Sequence, residues 1–233
     1  MYRSIDLNEV VVTIVGLGVR VGERFPKSNF FKICLELREI ALDCDSRVTW
    51  ISRANMKIRT GVAGVTTGTL LFSLYLLSHI DLKYQKLSTL EVIQISETLV
   101  NGIILLGASL YFLFSVETRL KRSRALKALH ELRSIAHIID MLQLTKDPGM
   151  LDDNAIRTNH SPTREFTLFE LNRYLDYCSE MFSLIGKLAA IYSERLPDPE
   201  IVSAASEIES LCSSMSRKVW QKMSTTPQLQ FRE

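Results

Sequence analysis

Two stretches of this chain run for five or so helical turns without a formal charge, while most of the rest alternates apolar and polar positions at helical spacing. The first, Gly61 to Ile80, reads GVAGVTTGTLLFSLYLLSHI, and the second, Leu99 to Val116, reads LVNGIILLGASLYFLFSV. Roughly 20 residues at a rise of about 1.5 Å cover the hydrocarbon thickness of a bilayer. Two helices buried in a soluble core are the alternative, but such helices rarely run this long without a charge. The pattern therefore predicts a transmembrane helical hairpin with spans at about residues 61–80 and 97–116. The second helix begins near Glu91, with Glu97 at the interface.

The flanks carry a different signal. From Phe30 the apolar positions Phe30, Ile33, Cys34, Leu37, Ile40, Ala41, Cys44, Val48 and Ile51 alternate in threes and fours, which marks one face of a long helix. Pro26 precedes it and Ser28 or Asn29 can cap it. An earlier helix is expected from Leu7 to Val21, with Leu7, Val10, Ile14, Leu17 and Val21 on one side. Its β-branched residues and Gly16, Gly18 and Gly22 weaken the helical signal. Those glycines spell GxGxxxG rather than a dinucleotide fingerprint, and no βαβ pattern surrounds them.

After the second span the helix is expected to continue unbroken, with Leu129, Leu132, Ile135, Ala136, Ile139 and Leu142 as its apolar stripe, until Pro148 and Gly149. A polar loop follows. The next helix starts at Ser161-Pro162 or at the capping box Thr167…Glu170, and its face runs Leu168, Leu171, Leu175, Cys178, Phe182, Ile185, Ala189. Pro197 interrupts, Asp198-Pro199 restarts, and Ile201, Ala205, Ile208, Cys212, Met215 and Val219 carry the stripe to Trp220. Helices that each hide one face need one another, so the expected fold is all-α: a transmembrane hairpin with a cytoplasmic antiparallel helical bundle. The divisions are residues 1–58 for N-terminal cytoplasmic helices, 59–116 for the hairpin, 117–223 for the C-terminal bundle and 224–233 for a disordered tail.

Charge sets the orientation. Arg47, Arg53, Lys57 and Arg59 precede the first span, and Arg119, Lys121, Arg122, Arg124 and Lys127 follow the second. The connecting loop holds only Lys83 and Lys86 against Asp81, Glu91 and Glu97. The positive-inside rule places both termini in the cytoplasm. A net charge of +2 lacks the basic excess of a nucleic-acid binder, so no nucleic-acid partner is expected. Cys34, Cys44, Cys178 and Cys212 form no CxxC pair and are expected as reduced thiols on packed faces. No cleavable signal peptide is expected, because Asp6 and Glu9 precede the first apolar run and no small-residue cleavage site follows it.

Candidate chemistry is sparse. His130, Arg133, His137 and Asp140 share one side of a helix, and Glu170, Arg173, Tyr177, Glu180 and Lys187 offer a matching polar line. Facing each other, the stripes would form a buried ionic network; facing outward, they are solvated. His137 with Asp140, joined by His130 or Glu180, could hold a divalent metal, although His130 and His137 stand two turns apart, too far for one ion. Arg124 and His130 match a loose R-x5-H ribonuclease pattern, and the histidines could also sense pH. No nucleophile elbow or phosphate loop is present, so neither an enzymatic activity nor a cofactor is expected. Small residues on the spans, Gly61, Gly64 and Gly68 on the first and Gly102 and Gly107 on the second, permit close helix approach, and Asn101 can hydrogen-bond to a neighbour. They serve packing within the hairpin, homo-oligomerisation or a pore lining.

The segments ETRLKRSRALKALHELRSIAHIIDMLQLTKDP, FELNRYLDYCSEMFSLIGKLAAIYSERLPDPEI and SRKVWQKM resemble an uncharacterised family of bacterial two-pass membrane proteins, over about Phe30 to Met223. The resemblance implies a bacterial inner-membrane location and supplies no activity; several members carry His where this chain has Leu142. The layout is also similar to two-helix membrane effectors of bacterial defence systems, an analogy of architecture. The expectation is a non-enzymatic membrane module that contacts lipid and acts by self-association or by docking a cytosolic protein. A permeabilising oligomer and a metal- or Arg/His-dependent hydrolase are the alternatives.

Overall fold

The computed structural model describes residues 4–53, 56–78, 89–148, 158–161 and 166–230. Among them the chain is all-α, built from six helices: α1 (Leu7–Arg24), α2 (Asn29–Ser52), α3 (Met56–Ser78), α4 (Thr89–Leu144), α5 (Leu168–Arg195) and α6 (Pro199–Gln230). Residues 1–52 and 124–233 form one compact unit and residues 53–123 a second. The N-terminal and C-terminal flanks, expected as separate regions, thus fold into one helical bundle.

Side-chain chemistry sets the ends of its helices. Asp6 caps α1 by accepting from the Asn8 N–H at 2.8 Å, and the Phe25 N–H closes the last turn on the Val21 carbonyl. Ser28 Oγ accepts from the Phe31 N–H at 3.0 Å and so starts α2. Thr167 and Glu170 form the reciprocal capping box at α5, which places the start there rather than at Ser161-Pro162. Asp198 accepts from the Glu200 N–H at 3.0 Å, and Pro199 opens α6 where its missing N–H costs nothing.

The apolar stripes become the core. α1 buries Leu7, Val10, Ile14, Leu17, Gly18 and Val21, and α2 buries Phe30, Cys34, Leu37, Ile40, Ala41, Cys44, Val48 and Ile51. α5 is the most enclosed helix: it packs on α1, α2 and most extensively α6, with Leu175, Cys178, Phe182, Ile185 and Leu188 sealed from solvent. Burying each large side chain of this kind is worth about 1.5–3 kcal/mol, which fixes helix registers that local propensity leaves open. α4 contributes Ala125, Leu129, Leu132, Ala136 and Ile139 to the same core. α6 does not stop at Ser224: the residues expected as a disordered tail are helical as far as Gln230. Extending an existing helix adds one hydrogen bond per residue fixed, except at Pro227, which has no N–H to donate.

The second unit holds α3 and the N-terminal part of α4. Glu117 on α4 is joined to Arg59 of α3 at 3.4 Å and to Lys121 one turn on at 2.9 Å. Its apolar side chains point outward: Leu71, Phe72 and Tyr75 of α3 and Ile103, Ile104, Leu105, Tyr111 and Phe112 of α4 are exposed, Tyr111 by 78%. Among the described residues one stretch, Val100–Leu144, has the length and apolar content to cross a membrane, and none of its most apolar part is buried. The end of the expected first span, residues 79 and 80, and the loop with Lys83 and Lys86 lie outside the described residues.

Candidate functional site

The two polar stripes do not meet. On α4, His130, Arg133 and His137 are exposed; Arg133 reaches Glu207 of α6 at 3.5 Å, and Asp140 accepts from Gln143 Nε2 at 2.8 Å. On α5, Glu170 is held in the capping box, where the Thr167 backbone N–H and hydroxyl keep its carboxyl below its ordinary range. Arg173 pairs with Asp176 at 2.9 Å, Glu180 takes a bidentate bond from Arg20 of α1, and Lys187 donates to Ser183. Tyr177 is buried, with the guanidinium groups of Arg20 and Arg173 at 5.7 and 5.5 Å from its ring centroid. No group of three His, Cys, Asp or Glu side chains among the described residues is arranged to hold a metal.

Two further ionic contacts cross between helices. Arg47 of α2 binds Glu131 of α4 at 2.5 Å, and Arg195 of α5 binds Asp45 of α2. Tyr192, 1% exposed, lies beside Cys44, and its phenol is pushed up first by burial and then by that thiol. At the α1–α2 turn, Phe25 packs edge-on against Phe166 and Tyr174, at 5.3 and 5.7 Å, while Phe30 sits 5.0 Å from Tyr174. These rings tie the segment before α5 to the core.

All four cysteines are free and buried. Burial pushes the Cys34 and Cys212 thiols up to about 12 and raises Cys44 and Cys178 as well. The thiolate is the nucleophile, so these side chains are inert at neutral pH. A shallow groove between α4 and α6, lined by Arg133, Val202, Ser203, Ser206, Glu207 and Ser210, opens broadly to solvent and gathers no acid–base pair beyond the surface ion pair across it.

The glycines of the second unit are the residues for which the geometry says most. A Cβ built at Gly61, Gly64, Gly68, Gly102 or Gly107 meets no atom within 4 Å. The small faces are thus not filled by packing between α3 and α4. Asn101 is exposed beside Gly102.

Sequence reasoning passed over one pair. Arg124 lies with its guanidinium carbon 4.1 Å from the ring centroid of Trp50, which is itself 55% exposed. The signal was a tryptophan beside the basic flank of an apolar run, the composition of a membrane interface. Comparison with models of known protein families, with curated proteins and with solved structures finds no match to this chain.

Proposed function

We propose that this chain is a two-pass inner-membrane protein of bacterial type, whose α3–α4 hairpin anchors a cytoplasmic helical bundle and brings copies of it together, with no catalytic step of its own. The observation that carries the reading is the outward apolar surface of the second unit, where Ile103, Leu105, Tyr111 and Phe112 are each more than 60% exposed. In water such a surface would drive aggregation, whereas lipid is as apolar as those side chains. The basic residues on both flanks and their scarcity in the loop support a topology with both termini inside. Self-association draws its support from the open glycine faces: Gly64 and Gly68 on α3 leave room for a second helix backbone to approach closely.

The test is the mass of the detergent-solubilised protein by light scattering, corrected for bound detergent. A defined oligomer is expected, and Gly64→Leu with Gly68→Leu should reduce it towards the monomer. A monomer at micromolar concentration, with no partner crosslinked in the membrane, overturns the self-association reading. Extraction by alkaline carbonate overturns the membrane reading itself.

A permeabilising oligomer is the second reading, and Asn101 is the observation that favours it: an amide side chain exposed on a charge-free stretch of α4. Dye leakage from vesicles that is lost on Asn101→Leu would select it over a passive anchor. A hydrolase would be selected instead by RNA cleavage or bound metal that disappears in His130→Ala or His137→Ala.

A further inference from the structure

The exposed apolar belt of the second unit accounts for the span, but not for an aromatic–cation pair in the first. Trp50, in the last turn of α2, is 55% exposed, although α2 buries Val48 and Ile51 on either side of it. Arg124 of α4 is stacked on that indole, 4.1 Å from the ring centroid. Lys127, three residues on, shares that side of α4 and is exposed. Among the described residues no carboxylate lies within ion-pair distance of Arg124 or Lys127; Glu131, one turn beyond Lys127, is taken by Arg47 at 2.5 Å.

The geometry has a chemical meaning. A guanidinium paired with a carboxylate uses two of its N–H groups, whereas one stacked on a ring keeps its whole donor edge free for a bidentate acceptor. The indole contributes an apolar plate with a polar N–H, the character that settles tryptophan at the level of lipid headgroups. An apolar plate rimmed by unpaired cationic donors is complementary to a phosphodiester above acyl chains. Continuity selects the occupant: two turns earlier along the same helix, α4 is the charge-free run that ends at Val116.

We propose that Trp50, Arg124 and Lys127 form a binding site for the headgroup of an anionic phospholipid. This rests on the membrane reading above and adds to it a lipid preference located at three side chains.

Trp50 and Trp220 are the only tryptophans, so Trp220→Phe leaves Trp50 as a single reporter in the full chain. The protein is reconstituted in phosphatidylcholine vesicles containing brominated phosphatidylglycerol, or brominated phosphatidylcholine at the same fraction. Trp50 should be quenched more strongly by the anionic lipid. Removing one cation should reduce that preference about fivefold, since a basic residue near an anionic surface is worth about 1 kcal/mol. Lys127→Gln is the decisive variant because it leaves the Trp50–Arg124 stack intact; Arg124→Gln should lower the preference as well. Equal quenching by the two lipids in protein that floats with the vesicles overturns the site while leaving the span standing. An unchanged preference in Lys127→Gln and Arg124→Gln also overturns it. If inorganic phosphate in detergent shifts Trp50 emission as strongly as the anionic lipid does, the site is one for a soluble anion and the lipid assignment falls. Protein that fails to float with either vesicle fails the membrane reading instead.

Discussion

A Cβ built on Gly22 of α1 lies 2.7 Å from Phe31 Cε2, while one built on Gly186 of α5 lies 3.9 Å from Cα and Cγ of Glu209. Both glycines are helical, so alanine at either position recovers about 0.5–1 kcal/mol of lost backbone entropy. At Gly186 the new methyl meets ordinary van der Waals contact, and Gly186→Ala is expected to raise stability by about that amount. At Gly22 the ring of Phe31 must move, and overpacking of this kind costs about 1–3 kcal/mol, so Gly22→Ala is expected to be destabilising by about 1 kcal/mol. Thermal melts of both variants check the opposite signs. The buried thiols make a second residue-scale prediction. Each has its pKa raised in the folded chain above the ordinary thiol value of 9.0, by desolvation first. Above pH 9 the unfolded chain therefore loses thiol protons that the folded chain keeps, and stability falls as pH rises from about 9 towards 12. Denaturant midpoints measured across that window should decline, and a thiol reagent at neutral pH should label the native protein slowly and the unfolded protein at all four cysteines.

Elements were legible in the sequence wherever periodicity alone decides them. The expected faces of α1 and α2 recur among the buried residues, because a 3.6-residue period leaves only one stripe to bury. The sequence offers two starts for α5, since Ser161-Pro162 and Thr167…Glu170 both carry N-terminal signals; in the structure the reciprocal bonds of the second form the cap. Thr167→Ala is expected to cost about 1 kcal/mol of stability at neutral pH. The Glu170 carboxyl is held low by that same cap, so its share is present above the ordinary Glu value of 4.5 and is lost as pH falls below it. Urea midpoints of wild type and Thr167→Ala should both fall in acid, because alanine keeps the backbone N–H that bonds the Glu170 carboxylate, and the gap between them should narrow only by the share of the Thr167 hydroxyl. Contacts across the fold were not legible. Arg20 and Glu180 stand 160 positions apart, and nothing in either helix specifies the other as partner. The stripe around His137 was conspicuous for its spacing, yet spacing places residues on a side of a helix without saying what covers that side. Its partners, Glu207 for Arg133 and Gln143 for Asp140, come from the packing of α6 and from the last turns of α4.

At the scale of the whole molecule, a chain with a net charge of +2 and ordinary apolar content divides into a unit with a buried apolar core and a unit that, among the described residues, has none. That contrast makes lipid contact and self-association the natural reading of the second unit, and the oligomer mass is the measurement on which it turns. The first unit has a further property: it is discontinuous in sequence, residues 1–52 coming before the second unit and 124–233 after it. During synthesis α1 and α2 leave the ribosome with their buried faces complete and with nothing from α5 to cover them. At ~5–20 residues per second the intervening residues 53–123 alone take roughly 4–14 s to make, and α5 comes later still. For that interval an apolar hairpin stands open, dependent on whatever shields nascent chains, and the bundle closes only after the segment that interrupts it, and α5 beyond it, have been made.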